Sequence, residues 1–148
     1  MHTTATHPAH ASEAVTRGIR VRVEPYFLPE HSDAAAGKWV FAYHITMTNE
    51  GSLRARLLTR HWIIIDGNGQ RREVQGDGVV GQHPDLAPGE HFTYDSFCPL
   101  DTPWGTMEGS FHFMDERGEA FDVAVARFYL AVPAPAQIEP KQPEGAKL

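Results

Sequence analysis

The sequence lacks the features that mark membrane-spanning, secreted and thiolate-metal proteins. No run of about 18 apolar residues occurs, so no membrane span is predicted. The first residues, MHTTATHPAH, have neither the basic start nor the apolar stretch of a secretory signal. The single cysteine, Cys98, excludes an internal disulfide and a multi-thiolate metal site. These absences together predict a cytoplasmic protein.

Lys and Arg are absent between Arg72 and Arg117, although the same interval is rich in Asp and Glu. The formal net charge of −6 argues against nucleic acid or an anionic membrane as the partner. This distribution of charge is typical of solvated loops and strand faces. The alternative is a pair of oppositely charged surfaces for docking a partner.

Both ends of the chain are poor in residues that could build a core. Residues 1–16 are rich in Thr, Ala and His, and residues 133–148 contain four prolines. We therefore expect a flexible N-terminal tail over 1–16 and a Pro-rich flexible tail over 133–148. One domain, over residues 17–132, lies between them.

Alternation of apolar and polar residues predicts strands throughout this domain. The segment 56–65 is more continuously apolar, as in a strand covered on both sides. In the segment 38–49, five side chains share one face: Trp39, Phe41, Tyr43, Ile45 and Met47. The predicted strands are 19–28, 38–49, 56–65, 70–75, 90–97, 107–115 and 119–130.

These strands, with no helical periodicity between them, predict an all-β fold. The number and spacing of strands favour an immunoglobulin-like antiparallel β-sandwich of about seven strands. Because the chain has no cysteine pair, we expect the disulfide-free, fibronectin type III-like variant rather than an antibody-like domain.

Several separated stretches have the sequence pattern of one known protein family. The most specific are QGDGVVGQHPDLAPGE (75–90), TPWGTMEGSFHFMDERGEAFDV (102–123) and RFYLAVP (127–133), and together they resemble the ApaG family. The upstream stretches VRVEPYFLPEHS, FAYHITMTNEGS and LLTRHWIIIDGNG extend the resemblance over roughly residues 17–133. The resemblance implies a fibronectin type III-like sandwich, and it assigns no catalytic residues.

The resemblance also carries functional associations. Bacterial members are linked to cobalt and magnesium resistance and are often encoded beside a diadenosine tetraphosphate hydrolase. ApaG-like domains in eukaryotic F-box proteins imply a protein-interaction module. This chain departs from the family at Asp77, where Glu is usual, and at Phe97 and Cys98, which replace a small-residue stretch.

The candidate binding loop spells G-x-G-x-x-G: Gly76, Asp77, Gly78, Val79, Val80 and Gly81. In dinucleotide-binding folds such glycines lead into a helix whose N-terminus holds a pyrophosphate. Here Pro84 and Pro88 leave no room for that helix, no lysine is near, and Asp77 would repel phosphate. We expect a structural or docking loop with an apolar tip at Val79 and Val80. The alternative is a small anion-binding nest, supported by Arg71 and Arg72.

The histidines and acidic residues predict no metal site. Five histidines fall in five separate segments without an H-E-x-x-H or H-x-H pattern, and we expect ordinary surface residues: His44, His61, His83, His91 and His112. The acidic cluster between Asp115 and Asp122 favours a solvated turn over a weak magnesium site. Cys98, followed by Pro99, is interpreted as a structural thiol.

We therefore expect a non-enzymatic, cytoplasmic binding module without a cofactor. Its protein partner, of unknown identity, would contact the loop 76–81, His83 and Trp104. The tryptophan, in DTPWG, either caps the core or anchors the partner. The alternative is a sensor of pyrophosphate-containing nucleotides, such as diadenosine tetraphosphate, bound at Gly76–Gly81. Neither nucleic acid nor a membrane span is expected, and the oligomeric state stays open.

Overall fold

Nine β-strands build the computed structural model, which describes residues 8–133. The strands are β1 (Ser12–Thr16), β2 (Ile19–Phe27), β3 (Trp39–Asn49), β4 (Ala55–Asp66), β5 (Arg71–Asp77), β6 (Asp85–Leu86), β7 (His91–Leu100), β8 (Trp104–Asp115) and β9 (Ala120–Ala131). Single turns of 3-10 helix lie at Pro8–His10, Pro29–His31 and Ala34–Ala36. None of the helices within residues 8–133 has the length and hydrophobicity needed to cross a membrane.

The strands form two antiparallel sheets that pack face to face. One sheet has the order β1-β2-β3-β7, and the other has the order β5-β4-β8-β9 with the short β6 also paired to β4. This architecture confirms the predicted all-β antiparallel sandwich. All seven predicted strands are present, whereas β1 and β6 were not predicted. The fibronectin type III-like variant stays a prediction.

The sandwich begins earlier than the sequence predicts. Residues 12–16, expected in the flexible N-terminal tail, pair along their whole length with β2. The hydroxyl of Ser12 donates to the carbonyl of Ala126 (2.7 Å), and the hydroxyl of Thr16 accepts from the amide of Ala124 (3.1 Å). Small polar residues and hydrogen bonds hold this strand, so apolar alternation could not reveal it. Residues 1–7 and 134–148, which include most of the predicted C-terminal tail, lie outside the described residues.

Aromatic side chains from both sheets fill the core. The predicted inward face of β3 is buried except for its first residue, Trp39, which is only partly buried. The indole of Trp62 packs at centroid distances of 5.6–5.9 Å against the rings of Tyr43, Phe111 and Phe128. Such edge-to-face contacts add stability beyond the buried area itself.

A bulge at Leu58 changes which face of β4 is buried. Leu57 pairs with Phe113 and the next paired residue is Thr59, so Leu58 is the extra residue of the longer strand. Leu57 precedes the bulge and Trp62 follows it, yet both are buried. The opposite face of β4 is mostly half-buried, so the prediction of a strand covered on both sides is wrong.

Buried Asn49 ties the β3–β4 connection, the strand β6 and the β6–β7 connection to the end of β3. Its amide nitrogen donates to the carbonyls of Leu53 and Leu86, each at 2.8 Å, and its side-chain oxygen accepts from the amide of Gly51 at 2.9 Å. Its own carbonyl accepts from the amide of Gly89 at 2.7 Å. Because Asn49 is 1% exposed, water cannot replace these bonds without local opening.

Replacing Asn49 by Ala should therefore lower the free energy of unfolding by about 2–4 kcal/mol, because buried carbonyls lose their donor. Urea denaturation monitored by tryptophan fluorescence measures the change. Asn68→Ala, in the exposed β4–β5 turn, is the matched control and should stay within about 0.5 kcal/mol of the wild type. Equal losses in both variants would show that Asn49 is not a structural anchor.

Candidate functional site

The predicted binding loop forms a tight hairpin at the end of β5. Val79 and Gln82 exchange two backbone hydrogen bonds of 2.8 Å, leaving Val80 and Gly81 as the two central turn residues. Their φ angles are +42° and +79°, and positive values at both positions are typical of a type I′ turn. We call residues 78–82 the glycine hairpin.

Arg60 holds the base of the glycine hairpin. It pairs with Gly76 across β4 and β5, and its Nη1 donates to the carbonyls of Asp77 (2.9 Å) and Gly78 (3.0 Å). A Cβ at Gly76 would lie only 2.8 Å from three atoms of the guanidinium group. The first glycine of the motif therefore makes room for an arginine side chain.

The second glycine permits the chain to fold back on itself. A Cβ at Gly78 would lie 2.3 Å from the carbonyl oxygen of Gln82, and its φ of +59° also favours glycine. The amide of Gly78 donates to the carbonyl of Leu58, and the amide of Val79 donates to that of Gln82. Because these two amides already donate to protein carbonyls, they are not free to bind an anion in the nest that the sequence suggested.

The predicted apolar tip divides into a buried and an exposed residue. Val79 has no exposed surface and joins the core, whereas Val80 is 51% exposed at the turn. A β-branched residue rarely adopts a positive φ, and doing so costs about 1–2 kcal/mol. The hairpin thus presents one apolar side chain to solvent in a strained conformation.

His83 extends this surface into a neighbouring groove. Its Nε2 lies 3.3 Å from the position that a Cβ on Gly78 would take. The groove, with a volume of about 500 Å³, has an apolar floor formed by Leu58 and Met114. Charged residues of both signs flank it: Arg54, Arg56, Asp85 and Glu116. We call it the hairpin groove; the sequence did not predict it, because it depends on the bulge at Leu58 and on strand register.

Trp104 does not belong to this surface. Asp66, at one end of β4, lies beside the start of β8, whereas Thr59 lies beside Asp77 at the hairpin end. The two positions lie seven steps apart along an extended strand, a distance of about 23 Å. The indole of Trp104 packs on Gly67 and is 48% exposed. The sequence prediction of one recognition surface that includes both Trp104 and the glycine loop therefore needs correction.

The arginine pair of β5 is also directed elsewhere. Arg71 binds Glu73 at 2.6 Å, and Arg72 donates to the carbonyl of Pro99 on β7 at 3.0 Å. Arg72 lies four residues before Gly76 along the strand, about 13 Å away. Arg72 thus links the edges of the two sheets, Arg71 binds within its own strand, and neither is directed to the hairpin.

Cys98 lies in the interior, next to an exposed aromatic residue. Burial raises the pKa of its thiol to about 11, and the nearby Arg72 guanidinium offsets this only in part. The thiol is therefore protonated at neutral pH, as a structural role would require. Phe97, the other departure from the family pattern, is 67% exposed.

The acidic residues around the β8–β9 turn form hydrogen bonds and ion pairs within the fold. Asp115 caps the turn by accepting from the amides of Arg117 (2.9 Å) and Glu119 (3.0 Å). Asp122 binds His112 at 2.9 Å. Within the part of the chain that the structure describes, no three or more His, Cys, Asp or Glu side chains converge as a metal site.

Comparison with known proteins gives consistent matches. A family model described as the ApaG domain matches residues 29–115. Protein ApaG of Anaeromyxobacter dehalogenans (strain 2CP-C) is 52% identical over 122 residues, covering 82% of this chain and 96% of its own. Protein ApaG of Bordetella pertussis is 51% identical over 115 residues, covering 78% and 88%. A crystal structure of an ApaA protein from Bordetella pertussis has 51% identity and a TM-score of 0.77, covering 78% and 94%.

Replacing Val80 by Asn should raise the free energy of unfolding by about 1 kcal/mol, because Asn adopts a positive φ with less strain. Chemical denaturation measures the difference. Val15→Asn is the control, since Val15 is 48% exposed but lies in the extended strand β1, where Asn is disfavoured. A stability loss in Val80→Asn as large as in the control would contradict strain at the turn.

Arg60→Met should lower the free energy of unfolding by about 1–3 kcal/mol, because it removes the charge-assisted bonds to the hairpin carbonyls. Gly76→Ala should cost less, because the guanidinium is the far end of a flexible side chain and can shift away from the added methyl group. The double variant should lose little more than Arg60→Met alone. A double-mutant cycle from urea denaturation measures this coupling. Additive losses would mean that Arg60 and Gly76 stabilise the protein independently.

Proposed function

The chain belongs to the ApaG family, and from this premise we propose that it is a non-enzymatic binding module that contacts a protein partner. The contact surface would be the glycine hairpin together with the hairpin groove. The observation that carries this proposal is Val80, an exposed apolar side chain held in a strained turn. Strained conformations of this kind concentrate at ligand-binding and switch regions.

The hairpin suits recognition because its frame is rigid. Val79 anchors it in the core, and Arg60 bonds two successive carbonyls at its base. A tip held in this way loses little conformational entropy when it binds. Recognition loops on sandwich folds are commonly positioned by such a framework.

The hairpin groove adds both apolar area and charge. Met114 is 38% exposed, and its flexible thioether can adapt to different side chains. Arg54 and Asp85 form an exposed ion pair of 3.4 Å on the rim. An apolar floor with a charged rim is the arrangement found in protein–protein interfaces.

The non-enzymatic part of the proposal has support in the ionisable groups. Perturbed pKa values often mark catalytic groups placed in clefts. Here burial raises the pKa of Tyr94 well above its usual value and that of Cys98 to about 11. Both groups belong to the hydrophobic core, where burial favours their neutral forms.

The alternative, a sensor of pyrophosphate-containing nucleotides, has less support from the geometry. The amides of Gly78, Val79 and Gln82 donate to protein carbonyls, and Gly81 is followed by a turn and the strand β6. The cytoplasmic location and the family association with cobalt and magnesium resistance stay predictions. An indirect role through a protein partner fits that association.

Val80→Asp should abolish partner binding, because a carboxylate at the tip cannot enter an apolar contact, while Asp tolerates a positive φ. Immobilised wild-type protein and variants are compared for proteins captured from source-cell extract, with quantitative mass spectrometry. Val15→Asp, an equally exposed valine on β1, is the matched control and should retain the partner. Retention of every captured protein by Val80→Asp would contradict the proposal.

A second measurement separates the alternative function. The amide resonances of residues 76–83 are followed during titration with pyrophosphate and with a dinucleotide. We expect unchanged resonances at millimolar ligand. Saturable shifts confined to this segment would favour nucleotide binding over a protein partner. The folded control Val15→Asp should then show the same shifts as the wild type.

A further inference from the structure

Two histidines occupy diagonal positions on the outer face of the β5-β4-β8-β9 sheet. His61 on β4 pairs with Ser110 on β8, and Thr59 on β4 pairs with His112 on β8. The two histidines therefore occupy one diagonal of a four-residue rectangle, with two small hydroxyl residues on the other. Diagonal neighbours of an antiparallel pair lie about 7–8 Å apart, within the combined reach of two imidazole rings.

The surface between the two rings is open. Ser110 and Thr59 are short, and a depression of about 460 Å³ lies over this part of the sheet, lined by both histidines. The side chains of His61 and His112 are 34% and 41% exposed. A small ion could thus reach both rings from solvent without any movement of the backbone.

Each ring is oriented by a carboxylate from the strand on its far side. Glu73 on β5 binds Nε2 of His61 at 2.8 Å, and Asp122 on β9 binds Nδ1 of His112 at 2.9 Å. A carboxylate accepts, so in each neutral ring the bonded nitrogen carries the proton. The lone pairs then lie on Nδ1 of His61 and on Nε2 of His112.

We propose that His61 and His112 form a two-histidine binding site for a first-row divalent metal ion, with Zn²⁺ as the reference ion. Imidazole nitrogens suit Zn²⁺, Ni²⁺ and Cu²⁺, and metal-binding histidines usually donate their other N–H to a carboxylate. Among the described residues no third protein ligand converges on the pair, so water completes the coordination. Mg²⁺, which prefers oxygen ligands, does not bind here.

His44 provides a matched control within the same molecule. Its Nδ1 binds Asp95 at 3.0 Å, so it has the same carboxylate partner type and a similar exposure of 36%. It lies on β3 in the other sheet, where it pairs with Glu24 and Asp95 rather than with a residue near a second histidine. Carboxylate orientation without a second ring should not give metal binding.

The test follows the imidazole nitrogens of the full-length, ¹⁵N-histidine-labelled protein during titration with Zn²⁺. Nδ1 of His61 and Nε2 of His112 should shift together with one midpoint, while the ring of His44 does not shift at that midpoint. Because each histidine is resolved separately, binding by the histidines near the N-terminus does not obscure the result. Titration with Mg²⁺ should leave both rings unchanged.

Substitutions test whether the two rings act as one site. His61→Gln should abolish the Zn²⁺-dependent shift of His112, and His112→Gln should do the same for His61. Asp122→Asn should weaken binding about tenfold or more, as loss of an orienting carboxylate does elsewhere. His44→Gln should leave the affinity unchanged. A shift of only one ring, or of His112 at an unchanged midpoint in His61→Gln, would overturn the proposal.

Discussion

The contact between the Arg60 guanidinium and the bare backbone of Gly76 determines how one end of the molecule is built. With no side chain at Gly76, the guanidinium lies against β5 and bonds the next two carbonyls. The strand therefore ends at a defined point, and the chain turns with Val79 inward and Val80 outward. The position of the hairpin groove follows, because His83 lines it directly after the turn.

The sandwich itself could be predicted because seven strands carry their own apolar alternation. The two strands that were missed lack that signal for different reasons. The inward positions of β1 are Ser12, Ala14 and Thr16, which bury little apolar surface. The strand β6 has only two residues and exists through its pairing with Ala55 and Arg56 of β4. Hydrogen bonding to a preformed neighbour is a tertiary property, so local sequence cannot report it.

The candidate site was predictable only as a segment. Glycine spacing and the following prolines indicated a turn without a helix at residues 76–81. Which valine is buried depends on the φ angles of the turn, and the separation of Trp104 depends on the register of β4 with its two neighbours. The diagonal placement of His61 and His112 likewise follows from a register between residues about fifty positions apart, for which the sequence has no motif.

The bulge at Leu58 couples the interior of the sandwich to its outer surface. A regular strand cannot direct both Leu57 and Trp62 to one side, since they lie five positions apart and side chains alternate between the two faces. The additional residue allows both Leu57 and Trp62 to face the interior. At the same time it leaves Leu58 on the outer surface, as part of the groove floor. A deletion that restored regular pairing would therefore alter the core and the external surface in a single step. The core and the proposed contact surface in this region therefore depend on the same residue.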